Sequence, residues 1–428
     1  MELKKYKLAD IAKIEISGVD KKKIEGEKPM RLCNFVDVYY NWAITKDKAK
    51  RFMIASAKQS EIDRFSIGKG MVAITKDSET KYDIGVATYI ADNFDNVVLG
   101  YHCALITPNP TVVDGKYLNA FMHTQYIQKY FENNASGSGQ RYTLSNDTIS
   151  NIPILLPPME VQRTIGKLLA DLDRKIELNR QINDNLEAMA KQLYEYWFVQ
   201  FDFPNEEGKP YKSSGGAMVW NEKLKREIPQ GWYADNICKI ANILSGGTPS
   251  KAVDDYWNNG TIPFFGPTDY NGNVFQIKTA DHITQKGLEH CASSLFEEGI
   301  VIITARGSIG KLVIVGTPMA MNQSCYALKS KEGEFEYLYF LTTQLIDCLK
   351  AKGSGSVFKS IIASDIEHSI LCVATENIVS DFCKKVKPLF EKLKTNTIEI
   401  AELTKQRDEL LPLLMNGQAT VNYHLSDD

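Results

Sequence analysis

The segment TARGSIGK places reactive side chains on a short turn that follows the apolar run IVII. Arg306, Ser308 and Lys311 offer a guanidinium, a hydroxyl and an ammonium group, which can bind phosphates or the edges of nucleic-acid bases. A nucleotide-binding P-loop would need four residues between its glycines and a Ser or Thr after its lysine. Here two residues separate Gly307 from Gly310, and leucine follows the lysine. The pattern therefore excludes a nucleotide site and predicts a turn that contacts a base edge or an anion.

The other residue types form no catalytic constellation. The chain lacks the N/D-P-P-F/Y tetrad of adenine methyltransferases, and none of its six histidines has the spacing that a zinc hydrolase requires. Its eight cysteines include no C-x-x-C pair, which is typical of reduced, mostly buried thiols. We therefore expect no catalytic residues, no metal site and no bound cofactor in this chain.

Net charge argues against a chain that binds nucleic acid over its whole surface. The formal charge is −3 at pH 7, so any such site must be local. The first sixty residues carry 14 Lys and Arg against 8 Asp and Glu, although a run of charge is often only a solvated face. The first-half candidates for phosphate contact, which adds affinity without sequence information, are Lys21, Lys22, Lys23, Lys28, Arg31 and Arg141.

Two kinds of sequence pattern alternate along the chain, and the elements that they predict must position the candidate binding residues. Short β-like runs broken by turn residues fill two stretches, and each is followed by a long stretch with helical periodicity. A polar segment rich in Gly, Ser and Lys joins the two halves. The predicted order is a globule at 1–157, a long helix at 158–203, a connector at 204–232, a second globule at 233–373, a second helix at 374–417 and a tail at 418–428.

A short motif is repeated where each globule ends. GSGQRYTLSNDTISNIPI begins at Gly137 and GSGSVFKSIIASDIEHSI begins at Gly353, 216 residues later. Self-similarity at this period indicates a duplicated unit with pseudo-twofold symmetry. The predicted fold class is therefore α+β, with two mixed α/β domains joined by two long antiparallel coiled-coil helices.

Both long helices carry an apolar stripe that is suited to helix–helix packing. The stripe positions are Leu169, Leu172, Ile176, Ile182, Leu186 and Leu193 in the first helix and Leu393, Ile400, Leu403 and Leu410 in the second. Asn179 and Asn396 occupy matching places, where they either fix the register of the pair or point to water. Pro388 is expected to kink or break the second helix and to leave it shorter than the first.

No apolar run approaches the roughly 18 residues of a membrane-spanning helix. The N-terminal segment MELKKYKLAD lacks the apolar core of a secretory signal. The composition, 43% hydrophobic and 24% charged, is that of an ordinary soluble protein. We therefore expect a cytoplasmic protein with no membrane partner.

Several segments resemble the specificity subunit of type I restriction–modification systems. In the second half these are LSGGTPSKAVDDYWNNGTIPFFGPTD, ITARGSIGK, NQSCYALK and LLPLLMNGQ. In the first half they are SGVDKKKIEGEKPMRLCNFVDVY, ITKDSET, GYHCALI and WFVQFDFPNEEGKPYKSSGGAMVWN. The resemblance covers nearly the whole chain. It implies two target-recognition domains, each of which reads one half of a split DNA sequence, with the helices as a spacer.

The same resemblance assigns methylation and cleavage to other chains. The partners that it implies are double-stranded DNA, two methyltransferase subunits and restriction or translocase subunits. S-adenosylmethionine, Mg²⁺ and ATP are then expected only on those partner subunits. This chain is expected to be a non-catalytic recognition subunit.

In this interpretation the turn with Arg306, Ser308 and Lys311 is the DNA-facing loop of the second domain. Weaker candidates for the same interface are Lys251, Thr268, Asn322, Gln323 and Lys359. A solvent-exposed hairpin without a ligand is the alternative for the turn itself. Two alternatives remain for the whole chain, namely a coiled-coil adaptor with two protein-binding modules and a self-contained restriction enzyme with unfamiliar catalytic residues.

Overall fold

The computed structural model describes residues 3–137, 140–352 and 360–421. Lys359, one of the predicted DNA-binding residues, lies outside these ranges, as does the end of the predicted tail at 422–428. The first seven residues of the second copy of the Gly-Ser-Gly motif, 353–359, also lie outside them.

The first of two compact units comprises Met1–Glu177 and Glu402–Asp428. Its strands are β1 Lys4–Lys7, β2 Ala12–Ile16, β3 Lys28–Cys33, β4 Ala43–Ile44, β5 Met53–Ala57, β6 Val72–Thr75, β7 Asp77–Ser78, β8 Ala87–Ile90, β9 Val97–Leu99, β10 Cys103–Pro108, β11 Ser136–Gly137, β12 Tyr142–Thr143 and β13 Pro153–Leu156. Its helices are α1 Leu8–Ile11, α2 Phe35–Tyr39, α3 Lys46–Ala49, α4 Gln59–Phe65, α5 Gly115–Met122, α6 Gln125–Asn134, α7 Asn146–Ser150 and the first half of α8 Met159–Tyr194.

The second unit comprises Leu178–Ala401. Its strands are β14 Met218–Asn221, β15 Arg226–Pro229, β16 Tyr233–Asp235, β17 Ala241–Ser245, β18 Ile262–Phe265, β19 Phe275–Gln276, β20 Asp281–Ile283, β21 Val301–Thr304, β22 Leu312–Val315, β23 Ala320–Met321, β24 Cys325–Ser330 and β25 Leu371–Val373. Its helices are α9 Gln285–Glu289, α10 Phe335–Lys352, α11 Ala363–Glu367 and most of α12 Glu376–Met415. The predicted α+β class with long joining helices is confirmed.

Both units repeat one strand arrangement, as the duplicated motif predicts. Each has a five-stranded sheet, in the order β2-β10-β6-β8-β4 in the first and β17-β24-β21-β22-β19 in the second. In both sheets the last pair is parallel and the other pairs are antiparallel. A three-stranded sheet, β5-β3-β9 or β20-β18-β23, and a two-stranded pair, β1-β13 or β16-β25, are likewise repeated. The repeat therefore extends to strand order and strand direction.

Apolar composition explains the central strands of the five-stranded sheets. β6 reads VAIT and β21 reads VIIT, and every residue of both is buried. Continuous apolar runs of this length are typical of strands that are covered on both faces. The last residues of the two strands, Thr75 and Thr304, pair with Cys103 and Cys325 respectively. This shared register makes the two threonines equivalent.

The predicted apolar stripe is buried or half-buried along both long helices. The buried members are Leu169, Ile176, Leu393, Ile400 and Leu403. The half-buried members are Leu172, Ile182, Leu186, Leu193 and Leu410.

Amides set the register of α8 against α12 within the second unit. Asn396, which is fully buried, donates from Nδ2 to Asn183 Oδ1 at 2.9 Å. One turn away, Asn179 donates from Nδ2 to Glu399 Oε2, also at 2.9 Å. These pairs show that the helices run antiparallel here. Of the two alternatives for these asparagines, the structure selects contact within the helix pair rather than contact with water.

The expectation that Pro388 breaks the second helix is wrong. The helix α12 runs through this residue for 40 residues. The first helix has 36 residues in α8 and continues as a π-helix over Glu195–Val199, so the two helices are nearly equal in length. Pro388 lies on the exposed face, where water can bond the carbonyl that proline leaves without an N–H partner. On the opposite face Phe382, Val386 and Phe390 are buried in the core of the second unit. Burial of about 1.5–3 kcal/mol for each such side chain outweighs a proline penalty of about 3 kcal/mol.

Candidate nucleic-acid interface

Thr304 holds the predicted DNA-facing turn, residues 305–310, which we call turn 2. The Thr304 N–H donates to the Lys311 carbonyl, and the Lys311 N–H donates to the Thr304 hydroxyl, both at 2.9 Å. The Thr304 hydroxyl in turn donates to the carbonyl of Ser308. Arg306, Ser308 and Lys311 are exposed. Hydrogen bonds with Thr304 therefore fix the backbone of turn 2, and its polar side chains are exposed to solvent.

The loop before β24 lies against turn 2, and the loop after β17 lies against that loop. The Arg306 N–H donates at 3.2 Å to the carbonyl of Ser324, which lies in the loop before β24. In that loop the Asn322 Oδ1 accepts from the Ser324 N–H at 2.9 Å, and Gln323 accepts from the hydroxyl of Thr248. Thr248 belongs to the loop after β17. Two of the weaker candidates, Asn322 and Gln323, thus lie beside the turn.

The other described candidates of the second unit lie at the same end of the five-stranded sheet. Lys311 Nζ is 5.3 Å from the ring centre of Tyr270, in the segment after β18, and Thr268 is exposed in that segment. Lys251, in the loop after β17, places its Nζ 5.5 Å from the ring centre of Trp257. Segments distant in sequence thus bring hydroxyl, amide and cationic groups to one end of the five-stranded sheet. This mixture of groups is suited to binding base edges and phosphates.

The first unit carries the same hydrogen-bonded frame around residues 76–85, which we call turn 1. The Thr75 N–H donates to the Val86 carbonyl at 2.9 Å, and the Val86 N–H donates to the Thr75 hydroxyl at 3.0 Å. The Lys76 N–H donates to the His102 carbonyl at 2.8 Å, in the loop before β10. Turn 1 is therefore the structural counterpart of turn 2.

Three basic side chains lie around the carboxylate of Asp77 in turn 1. Asp77 Oδ2 lies 2.9 Å from Lys76 Nζ and 2.5 Å from His102 Nδ1. It also lies 3.4 Å from Nη2 of Arg141, a predicted phosphate ligand. Burial opposes ionisation of Asp77, but hydrogen bonds from Thr143, Lys76 and His102 outweigh it and lower the pKa of this carboxyl to about 2. The carboxylate is therefore charged at neutral pH.

The remaining first-half candidates divide into two groups. Lys21–Lys23 are exposed in the loop after β2, which corresponds to the loop after β17 in the second unit. Lys28 begins β3, at the end of the strand away from turn 1, and its Nζ donates to Gln59 Oε1 at 2.6 Å. Arg31 Nη1 donates to the Lys50 carbonyl at 2.8 Å. The Ser56 N–H donates to the Lys22 carbonyl at 3.0 Å, and Ser56 pairs with Pro29. The Lys21–Lys23 run therefore lies beside the Lys28 end of β3 rather than beside turn 1, and Arg31 bonds within its own unit.

Comparison with known families recognises both halves of this arrangement. The family described as "Type I restriction modification DNA specificity domain" matches residues 1–188 and 229–373. The chain belongs to this family. The two matched segments contain both five-stranded sheets and both turns.

Relatives in the family resemble the chain over most of its length. The type I restriction enzyme HindI specificity subunit of Haemophilus influenzae is 25% identical over 80% of this chain and 85% of its own. The MjaIX specificity subunit of Methanocaldococcus jannaschii is 29% identical over 74% of this chain and 71% of its own. The crystal structure of a type I system S subunit from M. genitalium has the same fold, with a TM-score of 0.58, 15% identity and coverage of 97% and 96%.

Sequence reasoning missed Lys76, Asp77, His102 and Thr248 as members of these edges. The signal was present in segments shared with the specificity-domain family. Aligning ITKDSET with ITARGSI places Asp77 opposite Arg306, and aligning GYHC with NQSC places His102 opposite the serine before the paired cysteine.

In the part of the chain that the structure describes, no group of three or more His, Cys, Asp or Glu residues could hold a metal ion. No described helix is long and apolar enough to cross a membrane. All eight cysteines are free thiols.

Proposed function

We propose that this chain is the DNA-recognition subunit of a type I restriction–modification complex and that each unit reads one half of a two-part target. The match of a DNA specificity domain to both halves carries this proposal. The two units have the same sheet, and basic side chains lie at the turn of each, with amide side chains beside them in the second unit. Two units with the same fold but different side chains are suited to recognising two different DNA half-sites.

The chemistry of the edges suits a division between base reading and phosphate contact. In the second unit Arg306, Asn322 and Gln323 carry the donor and acceptor groups that distinguish base pairs in the major groove. Lys251 and the run Lys21–Lys23 are exposed point charges suited to phosphates, which position a protein without reading sequence. Arg306 is the residue on which we expect discrimination in the second half-site to depend most.

Catalysis is assigned in this proposal to partner chains. Two methyltransferase subunits, with S-adenosylmethionine, and restriction or translocase subunits, with Mg²⁺ and ATP, would complete the complex. No catalytic residue, metal or cofactor is assigned to this chain. Its task would be to place those partners on a chosen sequence.

Methylome mapping tests the proposal. The chain is co-expressed with its methyltransferase subunit in a host without DNA methylation, and modified adenines are mapped by long-read sequencing. We expect a two-part motif with a fixed gap that is absent when this chain is omitted. Arg306→Gln should relax one half of the motif and leave the other half unchanged. No motif, together with no binding of the complex to DNA, would favour the coiled-coil adaptor.

A further inference from the structure

Asp77 and Arg306 occupy the same position in the two units. Each is the second residue after the threonine that ends the central strand. The residue before each donates its N–H to a carbonyl of the next loop, at 2.8 Å to His102 and at 2.7 Å to Ser324. A carboxylate therefore stands in the first unit where the second unit presents its guanidinium.

The first unit brings a guanidinium to this position by another route. Arg141 comes from the segment before β12, and its Nη2 lies 3.4 Å from Asp77 Oδ2. The Asp77 side chain is 9% exposed, whereas that of Arg141 is 58% exposed. The carboxylate thus lies beneath the arginine, and much of the arginine faces solvent. The charge that reaches the surface is positive, as it is at Arg306.

His102 completes the support. Its Nδ1 lies 2.5 Å from Asp77 Oδ2, and Arg141 Nη2 approaches both ring nitrogens, at 2.5 and 3.0 Å. When Nδ1 donates to the carboxylate, Nε2 is the nitrogen that accepts from the arginine. The backbone of His102 has a φ of +68°, a strained conformation that persists where surrounding contacts impose it. Two groups therefore hold Arg141 in one direction.

We propose that Arg141 is the base-reading arginine of the first unit, with guanine as its target, and that Asp77 is the residue that positions it. An arginine held by a carboxylate presents its paired N–H donors in a fixed plane, which suits the bidentate contact to guanine O6 and N7. A flexible arginine would suit phosphate contact better. The inference rests on the proposed function and replaces the phosphate role expected of Arg141 from sequence.

Two substitutions of Arg141 separate base reading from phosphate contact. In the methylome assay we expect Arg141→Gln to relax one G·C position of one half-site, with a loss of discrimination of roughly 5- to 150-fold. Arg141→Lys keeps the charge but loses the bidentate geometry. It should therefore relax the same position while the salt dependence of DNA binding by the complex stays close to wild type.

Asp77→Asn tests positioning, because it leaves Arg141 in place and removes the charge that holds it. We expect relaxation at the same base pair as for Arg141→Gln, with the other half-site still read in full. That second half-site is an internal control for folding. Arg64→Gln is the matched control, since Arg64 is 59% exposed and also pairs with a carboxylate, Glu15, at 3.2 Å. It should leave the motif unchanged.

Three results would overturn the inference. Arg141→Gln could weaken binding equally for all sequences and leave the motif intact, which would make Arg141 a phosphate ligand. Arg141→Lys could retain full discrimination, or Asp77→Asn could relax a different base pair from Arg141→Gln. Absence of any motif with the wild-type chain would instead contradict the proposed function, so the two failures are distinguishable.

Discussion

Turn 1 has eight residues (76–83) between Thr75 and Ile84, whereas turn 2 has four (305–308) between Thr304 and Ile309. In both turns the isoleucine is followed by a glycine with positive φ, +81° in turn 1 and +72° in turn 2. The strands on either side and their register are the same, and in both units the threonine exchanges hydrogen bonds with the first residue after the glycine, Val86 or Lys311. The length and charge of the turn therefore differ between the two units, while the strands that carry the turn stay the same.

Gly85 and Gly310, which end the two turns with the same backbone conformation, have different neighbours, so substituting them is expected to give the largest difference between the units. A Cβ on Gly85 would lie 2.3 Å from ring atoms of buried Phe131, whereas one on Gly310 would meet Ile346 Cγ2 at 2.9 Å. We expect Gly85→Ala to lower the free energy of unfolding by about 2–5 kcal/mol, from left-handed strain and overpacking. Gly310→Ala should lower it by about 1–2 kcal/mol, mainly from strain. Urea denaturation of the two variants measures both values.

Equal losses for the two glycine variants would contradict this account. They would mean that backbone strain alone sets the cost and that Phe131 moves aside without penalty. Gly333→Ala is a control for strain, because Gly333 has a φ of +83° and a Cβ there would lie in open space.

The threonines are expected to differ by a smaller amount. The Thr304 hydroxyl accepts from the Lys311 N–H and donates to the Ser308 carbonyl, whereas the Thr75 hydroxyl accepts from the Val86 N–H. Thr304→Val should therefore cost about 1–3 kcal/mol of stability and Thr75→Val about 1 kcal/mol. Thermal unfolding of the pair would show the order, and a larger loss for Thr75→Val would refute the comparison.

Much of the architecture could be predicted from the sequence because its signals are local. Apolar runs such as VIIT predict central strands, and the stripe of α8 predicts a helix partner. The predicted helix break at Pro388 was wrong because the rule that proline disrupts helices does not consider burial on the opposite face of the same helix. Packing of Phe382 and Phe390 decides the outcome there, and it depends on residues far away in the chain.

The two turns differ in how far sequence reasoning could reach. Turn 2 could be predicted because Arg306 and Ser308 lie on one short turn and Lys311 directly follows it in the sequence. The cluster at turn 1 was missed because His102 and Arg141 are 39 residues apart and only the sheet brings them to Asp77. The phosphate role of Arg31 stays a prediction, and nothing in the sequence indicated that its Nη1 would bond the Lys50 carbonyl.

The smallest predicted effect is on the pH dependence of folding stability. It should differ between variants of Asp77 in turn 1 and of Arg306 in turn 2. The pKa of Asp77 is lowered from its ordinary 3.8 to about 2. The charged form therefore stabilises the folded state above pH 3.8, and this contribution is lost as the pH falls through about 2. Asp77→Asn removes it, so the stability difference from wild type should be about 1 kcal/mol above pH 5 and shrink between pH 4 and 2. Arg306→Gln should leave the acid limb unchanged, because arginine does not titrate in this range. A difference between wild type and Asp77→Asn that stays constant down to pH 2 would mean that the basic neighbours do not stabilise the carboxylate.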